Sequence, residues 1–228
     1  MIAQGTSQVP AKPEPRLDKK PLMRGWLHVG TTLAVLVAGP ILIANARSTE
    51  ERVALTVYVA SLLALFGVSS LLHRVHWGPR ANRRMKRADH STIFIGIAGS
   101  YTAVAALALT GTVRVVVLAL VWVGALVGIL IRQLLLYAPQ WLVALPYVVV
   151  GWSAMAVSPQ LVRGASWPGF LLVLAGGLAY TIGAVVFAMK KPNPVPSVFG
   201  FHEVFHTCTV IGASIQFVAI AYVLLPRT

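Results

Sequence analysis

Acidic residues are scarce in this 228-residue chain: six Asp and Glu stand against 19 Lys and Arg, and charged residues of both signs make up 11% of it. A soluble domain usually carries about 25% charged residues, so this composition excludes an ordinary water-soluble fold. Cysteine is scarcer still. The single Cys208 excludes an internal disulfide and says little about compartment. No long-period repeat is present either. What the chain has in abundance is apolar side chains, at 57%, together with a formal net charge of +13. That charge would suit nucleic acid if it lay on one soluble face. Instead the basic residues fall in the gaps between long apolar runs, which a membrane explains better, so no nucleic-acid partner is expected.

Crossing a hydrocarbon core of about 30 Å takes about 20 apolar residues. Stretches near 26–44, 53–72, 91–109, 113–131, 141–157, 170–189 and 198–225 meet that requirement. Short links such as TGT and YAPQ leave little backbone outside them, so an all-α bundle of seven transmembrane helices is the economical fold. Residues 24–228 form one membrane domain, and residues 1–23, with Pro10, Pro13, Pro15 and Pro21 among mixed charges, read as a disordered cytoplasmic tail. A cleavable signal ending at Ala44-Asn45-Ala46 is the competing reading, but the apolar run is longer than a signal core needs.

Placing the N-terminus in the cytoplasm puts Lys12, Arg16, Lys19, Lys20, Arg24, Arg74, Arg80, Arg83, Arg84, Lys86, Arg87, Arg132, Lys190 and Lys191 inside, against Arg47, Arg52, Arg114, Arg163 and Arg227 outside. The positive-inside rule favours that orientation, with the C-terminus outside, in a multi-pass protein of the cell membrane. Trp26, Trp77 and Trp141 near inner ends, and Trp152 and Trp167 near outer ones, suit interfacial anchoring, whereas Trp122 reads as a packing residue. Gly124 and Gly128 form a GxxxG helix-packing pair.

With so few carboxylates, each can be placed. Glu14 and Asp18 lie in the tail and Glu50 and Glu51 in the first outer link, which leaves Asp89 in ADHST and Glu203 in FHEVFH, each beside a histidine. On the topology above His73 ends the second span, Asp89 opens the third, and His202 and His206 open the seventh, so all four meet at one end. His202 and His206 are four apart and project from one helical face. Three neutral imidazoles with an open fourth position make a recurring zinc site, and His73 is the best third ligand, ahead of His76 one turn on.

Zinc makes a coordinated water acidic enough to react near neutral pH, and a carboxylate can orient that water and take its proton. Both Asp89 and Glu203 qualify by depth. The alternatives are bland ones: Asp89 as an N-cap of the third span, and Glu203 as a solvated first-turn carboxylate. Ser69, one turn before His73, either hydrogen-bonds near the metal or bonds back to its own helix. His28 and His90 read as packing or interfacial residues.

Taken together, Ser69-x-x-x-His73 in SSLLHR, Asp89 in RADHSTIFIGIAGSYT, and His202-x-x-x-His206 in FGFHEVFH resemble the bacterial hemolysin III proteins, within the progestin and adipoQ receptor superfamily that includes the adiponectin receptors. The resemblance runs from about Arg24 onward. It implies an intramembrane Zn2+ near the cytoplasmic face held by His73, His202 and His206, with Asp89 contacting it through water and Ser69 as the motif serine. Related alkaline ceramidases use a similar set to hydrolyse a lipid amide. Bacterial members often carry HE where the adiponectin receptors have a neutral amide, which favours Asp89 over Glu203 as the base. The family's acidic residue and Asn before the first-span His are replaced here by PLMRGWLHVG, so His28 stays outside the expected site.

The leading expectation is therefore a zinc-dependent hydrolase of a membrane-lipid amide, with the lipid as substrate and Asp89 and Ser69 as catalytic residues. The alternatives are a non-enzymatic receptor or membrane-stress sensor with structural zinc, and a hemolysin-type cytolysin.

Overall fold

The helix starts follow from local chemistry. The hydroxyl of Ser48 accepts from the backbone N–H of Glu51 at 3.1 Å, with Glu50 and Glu51 in the first turn, so the second helix begins with a side-chain cap and negative charge against its dipole. Pro79 occupies the first turn of the third, where its missing N–H costs nothing. The computed structural model describes residues 21–134 and 140–227. Among them the elements are α1 (Trp26–Ala44), α2 (Thr49–Arg74), α3 (Pro79–Ala108), α4 (Gly111–Leu134), α5 (Gln140–Trp152), α6 (Ser158–Met189) and α7 (Phe201–Val218), the last continuing through a π-helical turn at Ala219–Leu224. The described residues contain no strand, only an isolated bridge between Val195 and Phe199.

Six helical stretches are long and apolar enough to cross a membrane: Trp26–Ala44, Thr49–Arg74, Pro79–Ala108, Gly111–Leu134, Pro146–Met189 and Phe201–Leu224. The expected fifth and sixth spans thus fall within one apolar stretch. A 3₁₀ turn at Ser153–Val157 interrupts it, and Ser166, at φ 61° and ψ 169°, breaks α6 internally. Residues 1–20 and 135–139, which include Tyr137, Ala138 and Pro139 of the YAPQ link, lie outside the described residues, and nothing of the Trp141 side chain is described.

Small residues let the helices approach closely. Gly99 of α3 lies against Ser61 of α2, Gly128 of α4 against the Phe94 ring, and Gly176 of α6 against the Gln216 stem of α7. Around these contacts Leu55, Tyr58, Leu62 and Phe66 of α2 pack inward with Phe94 and Ala98 of α3. Apolar side chains also cover the outside. Val115, Leu120, Val123, Leu126 and Leu130 of α4 are all exposed, which suits lipid rather than water. The chain is a multi-pass integral membrane protein. Trp122 lies at the edge of this surface, partly exposed, and its indole N–H donates to Thr102 Oγ1 of α3 at 3.2 Å. Trp152 instead turns inward and donates to Thr181 Oγ1 at 2.9 Å.

The two ends of the bundle differ in charge. At one, Arg24 pairs with Glu203, joining the segment before α1 to the start of α7, and the Gln133 side-chain amide donates to Ser91 Oγ at 2.9 Å, joining the end of α4 to α3. At the other, Arg114 pairs with Glu50, and the Arg47 guanidinium donates to the Pro226 carbonyl at 3.4 Å. The first end, called the basic end below, holds the α2–α3 link and Lys190 and Lys191.

Candidate metal centre

At the basic end, the last turn of α2 faces the first turns of α7. His73 sits on the first helix and His202 and His206 on the second, and one nitrogen from each ring lies within 4.8 Å of the others. The Nε2 atoms of His202 and His73 are 3.2 Å apart. A tetrahedral metal with bonds of about 2.0–2.1 Å to nitrogen separates its ligand atoms by about 3.3 Å, so this edge already has the spacing an ion needs. Three imidazoles suit zinc, copper, iron or nickel, and the donor set alone does not choose among them.

The rest of the centre departs from the sequence reading in instructive ways. Asp89 is ten residues inside α3, which begins at Pro79, so it is no N-cap. Its carboxyl meets the hydroxyl of Ser69, which is 3% exposed and one turn before His73 on the same face of α2. The back-bonding role belongs to Ser70, whose hydroxyl donates to the Phe66 carbonyl at 2.7 Å. His76 lies past the end of α2, exposed and outside the histidine group.

Glu203 is neither solvated nor among the grouped ligands. It is 0% exposed, accepts from the backbone N–H of Gly200 at 2.8 Å, and forms an ion pair with Arg24. One carboxylate oxygen thus caps α7 while the other holds the segment before α1. That segment is further tied down: Leu22 and Met23 donate backbone N–H bonds of 3.1 Å each to the carbonyls of Ser197 and Val198. It forms a strap between the α6–α7 link and His73, and its Gly25, at φ 83°, packs against the His73 side chain.

His28, left out on sequence, belongs to the centre's wall. Its ring stacks on His206 with centroids 3.8 Å apart and planes 14° from parallel, and its Nε2 lies 3.1 Å from Thr209 Oγ1. His28 Nδ1 is buried without a hydrogen-bond partner. A helix-period alignment of His28 with α7 is invisible until α1 is packed, so the one signal in the sequence was the first-span histidine of the family it resembles. An apolar cavity of about 50 Å³, bounded by Val104, Leu109, Trp152, Met155, Leu161 and Gln216, lies toward the other end of the bundle, away from the histidines.

The family model described as "Haemolysin-III related" matches residues 18–217. The chain belongs to that family. Among its relatives, Hemolysin-3 of Bacillus cereus is 32% identical over 176 residues, which cover 76% of each chain. The Hemolysin-3 homolog of Bacillus subtilis (strain 168) is 29% identical over 196 residues, 85% of this chain and 89% of its own. The match covers every element of the centre, from Arg24 to His206, so the histidines sit within the haemolysin-III-related part of the chain.

Proposed function

We propose that this haemolysin-III-related protein is a zinc-dependent hydrolase acting on an amide bond of a membrane lipid, with His73, His202 and His206 as ligands. The observation that carries the reading is the convergence of three imidazole nitrogens at the end of apolar helices, outside which, one turn from His73 along α2, Ser69 holds the Asp89 carboxyl. When bound, zinc supplies a Lewis acid that polarises the scissile carbonyl and makes water nucleophilic near neutral pH. Asp89 takes the proton of the attacking water as the oxygen–carbon bond forms. It then returns a proton to the nitrogen as the carbon–nitrogen bond breaks, leaving a carboxylic acid and an amine. Ser69 donates to the Asp89 carboxylate and fixes it one turn from His73 along α2.

The same reading takes residues 140–189 as two passes, giving seven spans with the N-terminus in the cytoplasm and the centre at the cytoplasmic face. Two observations support it. The Tyr147 hydroxyl donates to the His90 carbonyl at 3.3 Å near the basic end, whereas Gly164 lies against the Ala108 carbonyl at the far one, before the chain returns to Lys190.

The test is metal analysis and lipid turnover on the purified chain, with and without chelator, beside His202→Ala. About one zinc per chain, and turnover abolished by both chelator and substitution, is the expected result. Turnover indifferent to both would overturn the hydrolase. A receptor or stress sensor with a structural ion is the second reading, favoured because the ion would tie α2 to α7; chelation that melts the fold, with no lipid consumed, would select it. Dye leakage from vesicles on adding the protein would select a cytolysin instead.

A further inference from the structure

α3 is 30 residues long, about 45 Å, so it exceeds a hydrocarbon core of about 30 Å by roughly ten residues. The surplus lies at its start, before Thr92. There the helix is two-faced. Arg80, Arg83, Arg84 and Arg87 fall within an arc of about 100° and are all exposed, with the exposed Lys86 about 60° beyond it, while Ala81, Met85, Ala88 and Asp89 turn partly toward the bundle.

No carboxylate answers this face. Among the described residues the acidic side chains of the basic end are Asp89, engaged by Ser69, and Glu203, engaged by Arg24. The sequence of residues 1–20 adds Glu14 and Asp18 but also Lys12, Arg16, Lys19 and Lys20, so it is itself net positive. Neutralisation must come from outside the chain. The level is that of the headgroups: Trp26 lies under the Arg74 guanidinium at 4.3 Å, and Trp77 donates to the Leu71 carbonyl at 2.9 Å, where the apolar run of α2 ends. Four of the five cations are arginine, whose fork matches phosphate oxygens two at a time.

We propose that the exposed face of Arg80, Arg83, Arg84 and Arg87 is a binding site for the phosphates of anionic lipids in the leaflet at the basic end. Charge that only directs insertion has finished its task once the helices are in place. A lipid site in the finished protein instead shows a saturable preference for anionic headgroups. The site ends at Arg87, two residues before Asp89, so it holds an anionic lipid shell at the same end of the bundle as the histidine centre. It does not depend on that centre being catalytic.

The experiment titrates the purified, delipidated full chain in neutral detergent with dioleoyl-phosphatidylglycerol or dioleoyl-phosphatidylcholine, reading bound lipid by native mass spectrometry. Wild type is expected to hold phosphatidylglycerol at least about tenfold more tightly, with the preference falling as salt rises. Arg80→Gln/Arg83→Gln/Arg84→Gln/Arg87→Gln should remove the preference. Arg52→Gln/Arg163→Gln, exposed at the far end, should keep it. If the fourfold variant does not insert, Arg83→Gln/Arg87→Gln is read in its place and should halve the preference or more. Equal binding of the two lipids by wild type, or an unchanged preference in the folded variant, overturns the proposal. So does capture of a short RNA without lipid preference, which would assign the face to another polyanion.

Discussion

Gly25 holds φ 83° directly behind His73, and a Cβ built on it would stand 2.7 Å from the His73 Cβ. Gly25→Ala therefore combines about 1 kcal/mol or more of left-handed strain with a clash that must displace His73, a proposed zinc ligand. Zinc content after purification should fall and affinity weaken about tenfold, while Gly30→Ala, with no neighbour within 4 Å, should bind as wild type does. Equilibrium dialysis against zinc would compare the two. Asp89→Asn should lower turnover by about 10²–10⁴ while keeping the metal, and Ser69→Ala by less. Loss of metal from Asp89→Asn would instead make that carboxylate a ligand. His73, His202 and His206 were legible in the sequence because polar residues are rare enough in this chain for each to need a reason. The stacking of His28 on His206 was not, since it depends on how α1 packs on α7.

Between elements, Glu203 links the start of α7 to the strap before α1. Glu203→Ala removes the cap on Gly200 and leaves Arg24 without its partner, a loss of about 1–3 kcal/mol with Arg24 partly exposed. Glu203→Gln keeps an acceptor for Gly200 and should lose less, and thermal unfolding of metal-free protein would rank the two. Helix contacts give a paired prediction on α6. A Cβ at Gly164 would stand 1.8 Å from the Ala108 carbonyl oxygen, whereas Gly177 has open space. Gly164→Ala should lower the melting temperature by several degrees, and Gly177→Ala should leave it unchanged or raise it slightly. Element positions were readable to the extent that apolarity marks them. The start of α3 was missed because a hydrophobic window sees only the lipid-crossing part and stops at its first charged turns, although Pro79 at the first turn was available as a signal.

For the whole molecule, the all-helical membrane fold was plain from composition, whereas the number of crossings between 140 and 189 was not, because Pro146, Pro168 and the break at Ser166 divide one apolar stretch unevenly. Single cysteines in a Cys208→Ser background give the test. A cysteine at Arg163 should react with an impermeant reagent in intact cells, and one at Lys191 only after the cells are opened. Labelling of Arg52→Cys but not Arg163→Cys from outside would make residues 140–189 a single pass. The strap has a kinetic consequence. With residues 22 and 23 bonded to the α6–α7 link and Gly25 against His73, the direct route from water to the centre is narrowed, and His206 is 2% exposed. For the lipid hydrolase proposed above, the expected route is then sideways, by partitioning between helices from the bilayer. Its effective concentration is a mole fraction in the membrane rather than a molarity in solution, so adding inert detergent at constant total lipid should slow turnover by surface dilution alone.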